Sequence, residues 1–336
     1  NPNTPHSPVV DRINIPLDVE TQEYDPSIPG IVDSLQALNS SWFNQINSPS
    51  AETNSDQNRP CNIFSLNVMG ASIAKQNYSA ARRWVFSILS AMQASNASIG
   101  LLQDLHICEL STVHNQIITV FRQCGFKLYL RSFTEKMQKS IDPSANKIRG
   151  RGVAIILPIH LAEQATIEPA GEKIEQELSY GYFLSCSFKA TSSLKITAIS
   201  VYSPPNHIEI RKSINSNVEK IISRSQISKD TIVIIGSDSN SVYDPKIDSF
   251  SKDFTNHKAC FTDLMKQTGC IDSFRLCNPN AVEYSRISSH LANGSEIRTS
   301  KSRIDHIHLS LPASDLFRIV AAAIVSSPSA QVSIHS

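Results

Sequence analysis

The chain has 336 residues, which is enough for one large or two medium domains. Hydrophobic residues make up 40% of it and the formal net charge is +1, so the composition is that of a globular protein and shows no strong basic field for nucleic acid. No apolar run is long enough for a membrane helix, so no membrane partner is expected.

The first 59 residues differ in texture from the rest of the chain. They are rich in Asn, Pro, Ser and Asp and sparse in apolar residues, so they cannot bury enough surface to offset their ordering entropy. We therefore expect a mostly disordered segment at 1–59 and a folded domain at 60–336. The chain begins with Asn1 and lacks an apolar leader, so we expect an excised or incomplete piece whose domain is either complete or truncated near Ser336.

From residue 60 onward, short apolar runs alternate with longer amphipathic stretches. Strands are predicted at residues 62–68, 98–103, 126–130, 152–157, 182–188, 195–202, 231–236, 270–274 and 303–310. Helices are predicted at residues 78–93, 112–124, 208–223 and 257–267. These are too many strand pairs for a simple doubly wound sheet. Two sheets packed face to face with outer helices fit better, which makes the predicted fold class α/β.

Seven cysteines are scattered without any Cys-x-x-Cys pair. This pattern is typical of reduced, mostly buried thiols and predicts an intracellular protein. Cysteine and histidine do not cluster at ligand spacing, so a zinc site is not expected.

Several predicted strands are followed by a polar side chain suited to binding a metal or a phosphate. Taken singly, such residues are more often turn or cap residues, but the ordered set favours one site at a shared sheet edge. Carboxylates suit a hard cation such as Mg²⁺, and Asn, Tyr and His can hold phosphate oxygens. The candidates are Asn67, Asp104, Tyr202, Asp238, Asn240, Asp305 and, near the end of the chain, His335.

The same positions carry a family resemblance over residues 60–336. The chain resembles the endonuclease/exonuclease/phosphatase superfamily, which includes exonuclease III-like repair endonucleases, deoxyribonuclease I and the endonuclease domains of non-LTR retrotransposons. The similar motifs are Asn67-Val68-Met69-Gly70 (W-N-x-x-G in the family), Leu102-Gln103-Asp104 (L-Q-E), Gly152-Val153-Ala154-Ile155 (G-V-A-I), Tyr202-Ser203-Pro204-Pro205-Asn206 (Y-x-P-N), Gly236-Ser237-Asp238-Ser239-Asn240 (G-G-D-F-N), Ser302-Arg303-Ile304-Asp305 (S-R-I-D) and Ser333-Ile334-His335-Ser336 (S-D-H-S).

The resemblance implies a DNase I-like fold, a four-layer α/β/β/α sandwich of two mixed sheets flanked by helices. It also implies a phosphodiesterase that uses Mg²⁺ or Mn²⁺ and leaves a 3′-hydroxyl by in-line attack. In that scheme Asp104 holds the metal with Asn67 nearby, and Tyr202 and Asn240 contact the scissile phosphate. Asp238 orients the attacking water. Asp305 orients His335, which stabilises the pentacovalent phosphorus.

Two stretches resemble retroelement endonucleases in particular. Residues 102–106 read L-Q-D-L-H, similar to L-Q-D-T-H, and residues 240–248 resemble N-x-V-x-x-P-x-x-D. The chain is therefore expected to be a DNA endonuclease domain of a non-LTR element. Its expected partners are DNA and a reverse transcriptase domain in the same polyprotein, and it is expected to act in the nucleus as a monomer. Expected DNA contacts are Arg149, Arg151, Arg275 and Arg303.

Two departures from the family motifs leave alternatives open. Asp104 is one methylene shorter than the family's Glu, and Ile334 replaces an Asp that precedes the His. One alternative is a catalytically impaired relic that still binds nucleic acid. Another is a ribonuclease or phosphatase of the same fold.

Overall fold

Two β-sheets form the centre of the molecule in a computed structural model, which describes residues 62–68, 78–133, 152–167, 179–190, 194–228, 230–250, 256–292 and 296–310. The first sheet has four strands in the order β1-β2-β4-β3. The neighbours β1 and β2 are parallel, whereas β4 is antiparallel to β2 and β3. The strands are β1 Ile63–Asn67, β2 Ile99–Gln103, β3 Phe126–Arg131 and β4 Val153–Pro158.

The second sheet has six strands in the order β5-β6-β7-β8-β12-β9. Its central pair, β7 and β8, is parallel, and its other pairs are antiparallel. A separate antiparallel hairpin is made by β10 and β11. These strands are β5 Thr166–Ile167, β6 Phe183–Lys189, β7 Lys195–Tyr202, β8 Thr231–Asp238, β9 Ile271–Asp272, β10 Arg286–Ala292, β11 Glu296–Ser302 and β12 Asp305–Ser310.

Helices cover the outer faces of both sheets. On the second sheet, α4 and α6 pack apolar side chains such as Val218 and Phe261 against Val233 and Ile235. On the first sheet, α1 packs against β2, where Met92 lies against Gly100. The helices are α1 Tyr78–Ala94, α2 Thr112–Gln123, α3 Ile159–Ala162, α4 Ile208–Ile227, α5 Pro245–Asp248, α6 Phe261–Gln267 and α7 Ser273–Cys277. None of the helices in the described ranges is both long and apolar enough to cross a membrane.

The inner faces of the two sheets meet in an apolar core. Leu101 and Ile155 of the first sheet are fully buried in the same cluster as Ala198 and Ile234 of the second. The sheets approach most closely at Gly236, where an added Cβ would lie 2.7 Å from the Ser65 hydroxyl oxygen. The architecture is therefore an α/β sandwich of two mixed sheets flanked by helices, as the sequence predicts.

Most of the expected elements form, and the differences have local causes. The hairpin of β6 and β7 is confirmed. The expected strand at 270–274 is wrong beyond Asp272, because the Asp272 carboxylate caps α7 by accepting a hydrogen bond from the Arg275 backbone N–H. The helix expected at 257–267 begins only at Phe261, since Cys260 is extended. The polar β10–β11 hairpin was missed, although the Asn-Gly pair between its strands is a hairpin signal.

Candidate active site

Three polar side chains form one row at the edge of the second sheet. Tyr202 pairs with Asp238 across the parallel β7–β8 ladder, and Asp305 pairs with Asp238 across the antiparallel β8–β12 ladder. Residues paired in this way point to the same face of a sheet. Here that face is the inner one, because Ile234 points into the core between the sheets and alternation gives Asp238 the same direction.

The first sheet places two further polar residues opposite this row. Asn67 ends β1 and is paired with Gln103, so Asp104 follows at the same edge. The Asn67 side-chain amide donates a 2.6 Å hydrogen bond to the Asp238 carboxylate and so joins the two sheets. The Asp104 carboxylate is near enough to raise the pKa of Asp238 and of Tyr202. The structure thus brings together residues from β1, β7, β8 and β12 and from the turn that follows β2.

Asn240 fixes the other side of Asp238. Its φ of 45° is left-handed, which Asn tolerates better than most residues. In this conformation its backbone N–H donates to Asp238 Oδ1 at 3.1 Å, and its side-chain amide donates to the Ser203 carbonyl at 3.2 Å. Both Asp238 oxygens therefore accept a hydrogen bond, one from Asn67 and one from Asn240, and the orientation of the carboxylate is set.

The site concentrates negative charge in a buried place. Burial, then Asp305 and Asp104, raise the pKa of the Asp238 carboxyl, against the opposing hydrogen bond from Asn240. Burial also raises the pKa of Asp305. Burial raises the pKa of Tyr202, with Asp238 and Asp104 adding to the effect. The two neighbouring carboxylates favour a bound cation or a shared proton, and Tyr202 keeps its hydroxyl proton.

The donor set fits a divalent metal. Asp104 Oδ1 and Asp305 Oδ1 are both buried and accept no hydrogen bond from the part of the chain that the structure describes. Leaving a buried carboxylate oxygen unsatisfied costs about 1–3 kcal/mol or more, so such atoms call for a partner. Carboxylate and amide oxygens are the ligands that Mg²⁺ and Mn²⁺ accept. Asp104, with Asn67 beside it, is the residue placed to hold such an ion.

A buried polar bridge lies directly behind the site. The Gln103 amide, which is 1% exposed, donates to the Ser65 hydroxyl at 3.3 Å and to the Ser200 hydroxyl at 3.1 Å. Ser200 in turn donates to the Leu102 carbonyl at 2.8 Å. This bridge ties β1, β2 and β7 together one residue before Asp104, so Gln103 positions Asp104. Gln103 belongs to the Leu102-Gln103-Asp104 motif, but the sequence alone does not indicate that its side chain bridges three strands.

The structure places Arg303, an expected DNA contact, in the interior of the chain. It is 1% exposed, and its guanidinium donates to both carboxylate oxygens of Asp248 and to both of Asp272. Asp272 has a lowered pKa: burial opposes ionisation, but the hydrogen bond and charge of His306 and the Arg303 guanidinium outweigh it. Arg303 therefore anchors the turn before β12 and so positions Asp305.

Arg275 is also occupied within the chain. Its guanidinium donates to Asp248 through Nε and Nη2 and to the carbonyls of Asn278 and Ala281 through Nη1. Its side chain is 10% exposed. Arg275, an expected DNA contact, thus has a structural role that the sequence did not indicate, because only the fold brings the acids at Asp248 and Asp272 beside the two arginines.

Other expected residues fall outside the described ranges. They are Arg149, Arg151, Ile334 and His335, and the segment 1–59 lies outside them as well. The expected pairing of Asp305 with His335 stays a prediction.

Comparisons with known proteins find likeness at the level of structure. No protein-family model and no curated protein sequence matches the chain. Solved structures similar to it include "Endonuclease domain of TRAS1, a telomere-specific non-LTR retrotransposon", at 14% identity and a TM-score of 0.43 over 74% of this chain and 84% of that one. An AP endonuclease from Archaeoglobus fulgidus is 16% identical, with a TM-score of 0.47 over 74% of this chain and 86% of that one. The 3′-5′ exonuclease NExo from Neisseria meningitidis is 13% identical, with a TM-score of 0.47 over 74% of this chain and 86% of that one. These structures belong to the endonuclease/exonuclease/phosphatase superfamily, which the sequence motifs resemble.

Proposed function

We propose that the chain is a divalent-metal-dependent phosphodiesterase that nicks DNA, and that it is the endonuclease domain of a non-LTR retrotransposon. The observation that carries the proposal is the row of Tyr202, Asp238 and Asp305, which faces Asn67 and Asp104 across the two sheets. This arrangement supplies a cation-binding carboxylate, a fixed carboxylate for a water nucleophile and a phenol donor within one site.

Each side chain has a role that its contacts support. Asp104, with Asn67, would hold Mg²⁺ or Mn²⁺. When bound, the cation supplies neutralisation of the charge that grows on the phosphate oxygens. Asp238 is held by Asn67 and Asn240 on its two oxygens, so it can orient water or take its proton in only one geometry. Tyr202 keeps its proton because its pKa is raised, which makes its hydroxyl a donor to a phosphate oxygen.

The choice of substrate is supported by the motifs. Residues 102–106 and 240–248 resemble retroelement endonucleases, which favours DNA as the substrate and a reverse transcriptase domain in the same polyprotein. A monomer acting in the nucleus follows from the same reading.

Nicking of supercoiled plasmid in Mg²⁺ or Mn²⁺ tests the proposal. We expect relaxed circles from the wild type, and a loss on the order of 100-fold or more for Asp238→Asn, which keeps the shape but not the charge. Asp230→Asn is the matched control, because Asp230 is exposed and immediately precedes the opposite end of the same strand.

Three results would count against the proposal. Absence of nicking at every metal concentration removes the enzyme hypothesis. DNA binding without nicking identifies the impaired relic. Cleavage of an RNA oligonucleotide, with DNA left intact, moves the substrate to RNA.

A further inference from the structure

The turn after β2 holds two side chains together by an unusual backbone path. Asp104 and His106 both adopt left-handed φ values, 58° and 53°. Between them, Leu105 is fully buried and its backbone N–H donates to the Gly152 carbonyl at 3.0 Å. Gly152 itself has a φ of 109°, and a Cβ there would lie 3.2 Å from the Leu105 Cβ. The buried Leu105 and its hydrogen bond to Gly152 therefore hold the turn in place. Residues held in left-handed conformations by their surroundings are frequent at functional sites.

The result is a close approach between His106 and Asp104. His106 Nε2 lies 2.8 Å from Asp104 Oδ1. That oxygen is buried and accepts no hydrogen bond of good geometry within the described residues. Both side chains remain partly exposed, at 24% and 16%, and an ion can reach them from solvent.

This separation is that of two neighbouring ligands on one cation. Ligand atoms about 2.1 Å from an octahedral ion, at right angles to each other, lie roughly 3.0 Å apart. Asp104 also lies near Asp238, so the ion would enter a region of negative charge. A carboxylate one methylene shorter than glutamate draws the ion toward β2, which is the side where His106 stands.

We propose that His106 and Asp104 together ligate the catalytic cation, and that this makes the site favour Mn²⁺ over Mg²⁺. The proposal rests on the proposed function, since it concerns the same ion. Mn²⁺ shares the preference of Mg²⁺ for carboxylate, carbonyl and water oxygen, but as a transition metal it accepts an imidazole nitrogen more readily than Mg²⁺ does. The competing reading is an Asp–His ion pair, in which a cation has to displace His106 from Asp104.

Direct metal binding separates the two readings. Mn²⁺ is titrated into the purified 336-residue chain, and free Mn²⁺ is measured by electron paramagnetic resonance for the wild type, His106→Gln and His160→Gln. His160 is the matched control because it lies in α3, which follows the opposite end of β4 from the site. Melting temperatures without metal check that each variant folds.

We expect His106→Gln to weaken Mn²⁺ binding roughly tenfold or more, while Mg²⁺ affinity, measured by competition, changes far less. The electron spin-echo modulation of ¹⁴N on bound Mn²⁺ should be present in the wild type and in His160→Gln and lost in His106→Gln. Unchanged or tighter Mn²⁺ binding in His106→Gln overturns the proposal, and so does absence of Mn²⁺ binding by the wild type.

The outcome for His106 is separable from that for the proposed function. Mn²⁺ bound with a nitrogen ligand but without plasmid nicking leaves the ligand assignment standing and removes the nuclease. Plasmid nicking by the wild type, with unaltered Mn²⁺ affinity in His106→Gln, supports the nuclease and removes the assignment of His106 as a ligand.

Discussion

Asn67 and Asp238 stand 171 residues apart in the chain, yet a 2.6 Å hydrogen bond joins the Asn67 amide to the Asp238 carboxylate across the gap between the two sheets. The bond ties the end of β1 to the end of β8. The other oxygen of the Asp238 carboxylate accepts a hydrogen bond from the Asn240 backbone N–H. The orientation of the central carboxylate therefore depends on both sheets.

Removing the Asn67 amide should misorient Asp238. We expect Asn67→Ala to lower the plasmid-nicking rate on the order of 100-fold, because small displacements of a catalytic group are costly. Single-turnover nicking measures this change. Asn62→Ala is the control, since Asn62 lies just before the opposite end of β1 and its amide bonds to the Asn96 carbonyl. Equal rates for the two variants would contradict the role given to Asn67.

Asp238 should also lower the stability of the metal-free protein at neutral pH. Its pKa is raised in the folded state, so the folded chain binds more protons than the unfolded chain between pH 3.8 and that raised value, and stability falls as pH rises through this window. Asp238→Asn removes the buried charge, and we expect a higher melting temperature at pH 7.5 without metal. A lower melting temperature than that of the wild type would refute this.

Asp238→Asn should also respond less than the wild type to a bound metal. Mn²⁺ or Mg²⁺ should raise the melting temperature of the wild type, because a ligand that binds only the folded state stabilises it. This rise in melting temperature should be largest in the wild type, because the cation relieves the repulsion of Asp238 by Asp305 and Asp104. In Asp238→Asn the gain should shrink, and a chelator should abolish it in both proteins.

Arg303 should behave as a structural residue. Arg303→Gln leaves Asp248 and Asp272, both buried, without the guanidinium that pairs them, and we expect a loss of about 3–5 kcal/mol in the free energy of unfolding. Urea denaturation measures it. Lys212→Gln serves as the control, because its ion pair with Glu209 is exposed. A stable Arg303→Gln protein that only binds DNA more weakly would restore the original expectation.

His308 should make the protein sensitive to acid. It is fully buried with no hydrogen-bond partner for either ring nitrogen among the described residues, and burial, with His306 adding to it, lowers its pKa to about 3. A histidine whose folded pKa is lowered contributes its full stability above pH 6.5 and loses it as pH falls toward 3. At pH 5 the loss amounts to roughly 2 kcal/mol.

Replacing that imidazole removes the sensitivity. We expect His308→Leu to show a smaller fall in urea-unfolding free energy between pH 7 and pH 5 than the wild type. His257→Gln, at an exposed position, should keep the wild-type slope. Identical slopes in all three proteins would show that His308 is not the group responsible.

His308 belongs to a cluster with Asp272 and His306 whose spacing would suit a metal ion, but the contacts of the cluster argue against a metal site. Ligand atoms of Asp272, His306 and His308 lie within 4.8 Å of one another. However, both Asp272 oxygens already accept from the Arg303 guanidinium, and His306 Nε2 lies 3.1 Å from the Ser241 carbonyl oxygen. A cation would have to displace a buried positive charge, so the cluster stabilises the fold rather than binding an ion.

The sequence by itself determined most of the strands and the polar residues that stand beside several of them. Apolar runs such as 231–236 predict buried strands from composition alone, and Asp104 and Asp238 stand within two residues of such runs. That local pattern was sufficient to predict the two-sheet sandwich and to nominate six residues that the structure brings to one edge: Asn67, Asp104, Tyr202, Asp238, Asn240 and Asp305.

Only the tertiary structure decided which charges are paired and which are left for a ligand. Arg303 and Asp305 are two residues apart in one motif, yet Arg303 meets Asp248 and Asp272 in the core while Asp305 keeps an unsatisfied oxygen at the site. The contact of His106 with Asp104 likewise depends on two left-handed residues and a buried Leu105. Strand patterns are local, whereas ion pairs depend on register and sheet packing between distant segments, so the sequence could not assign them.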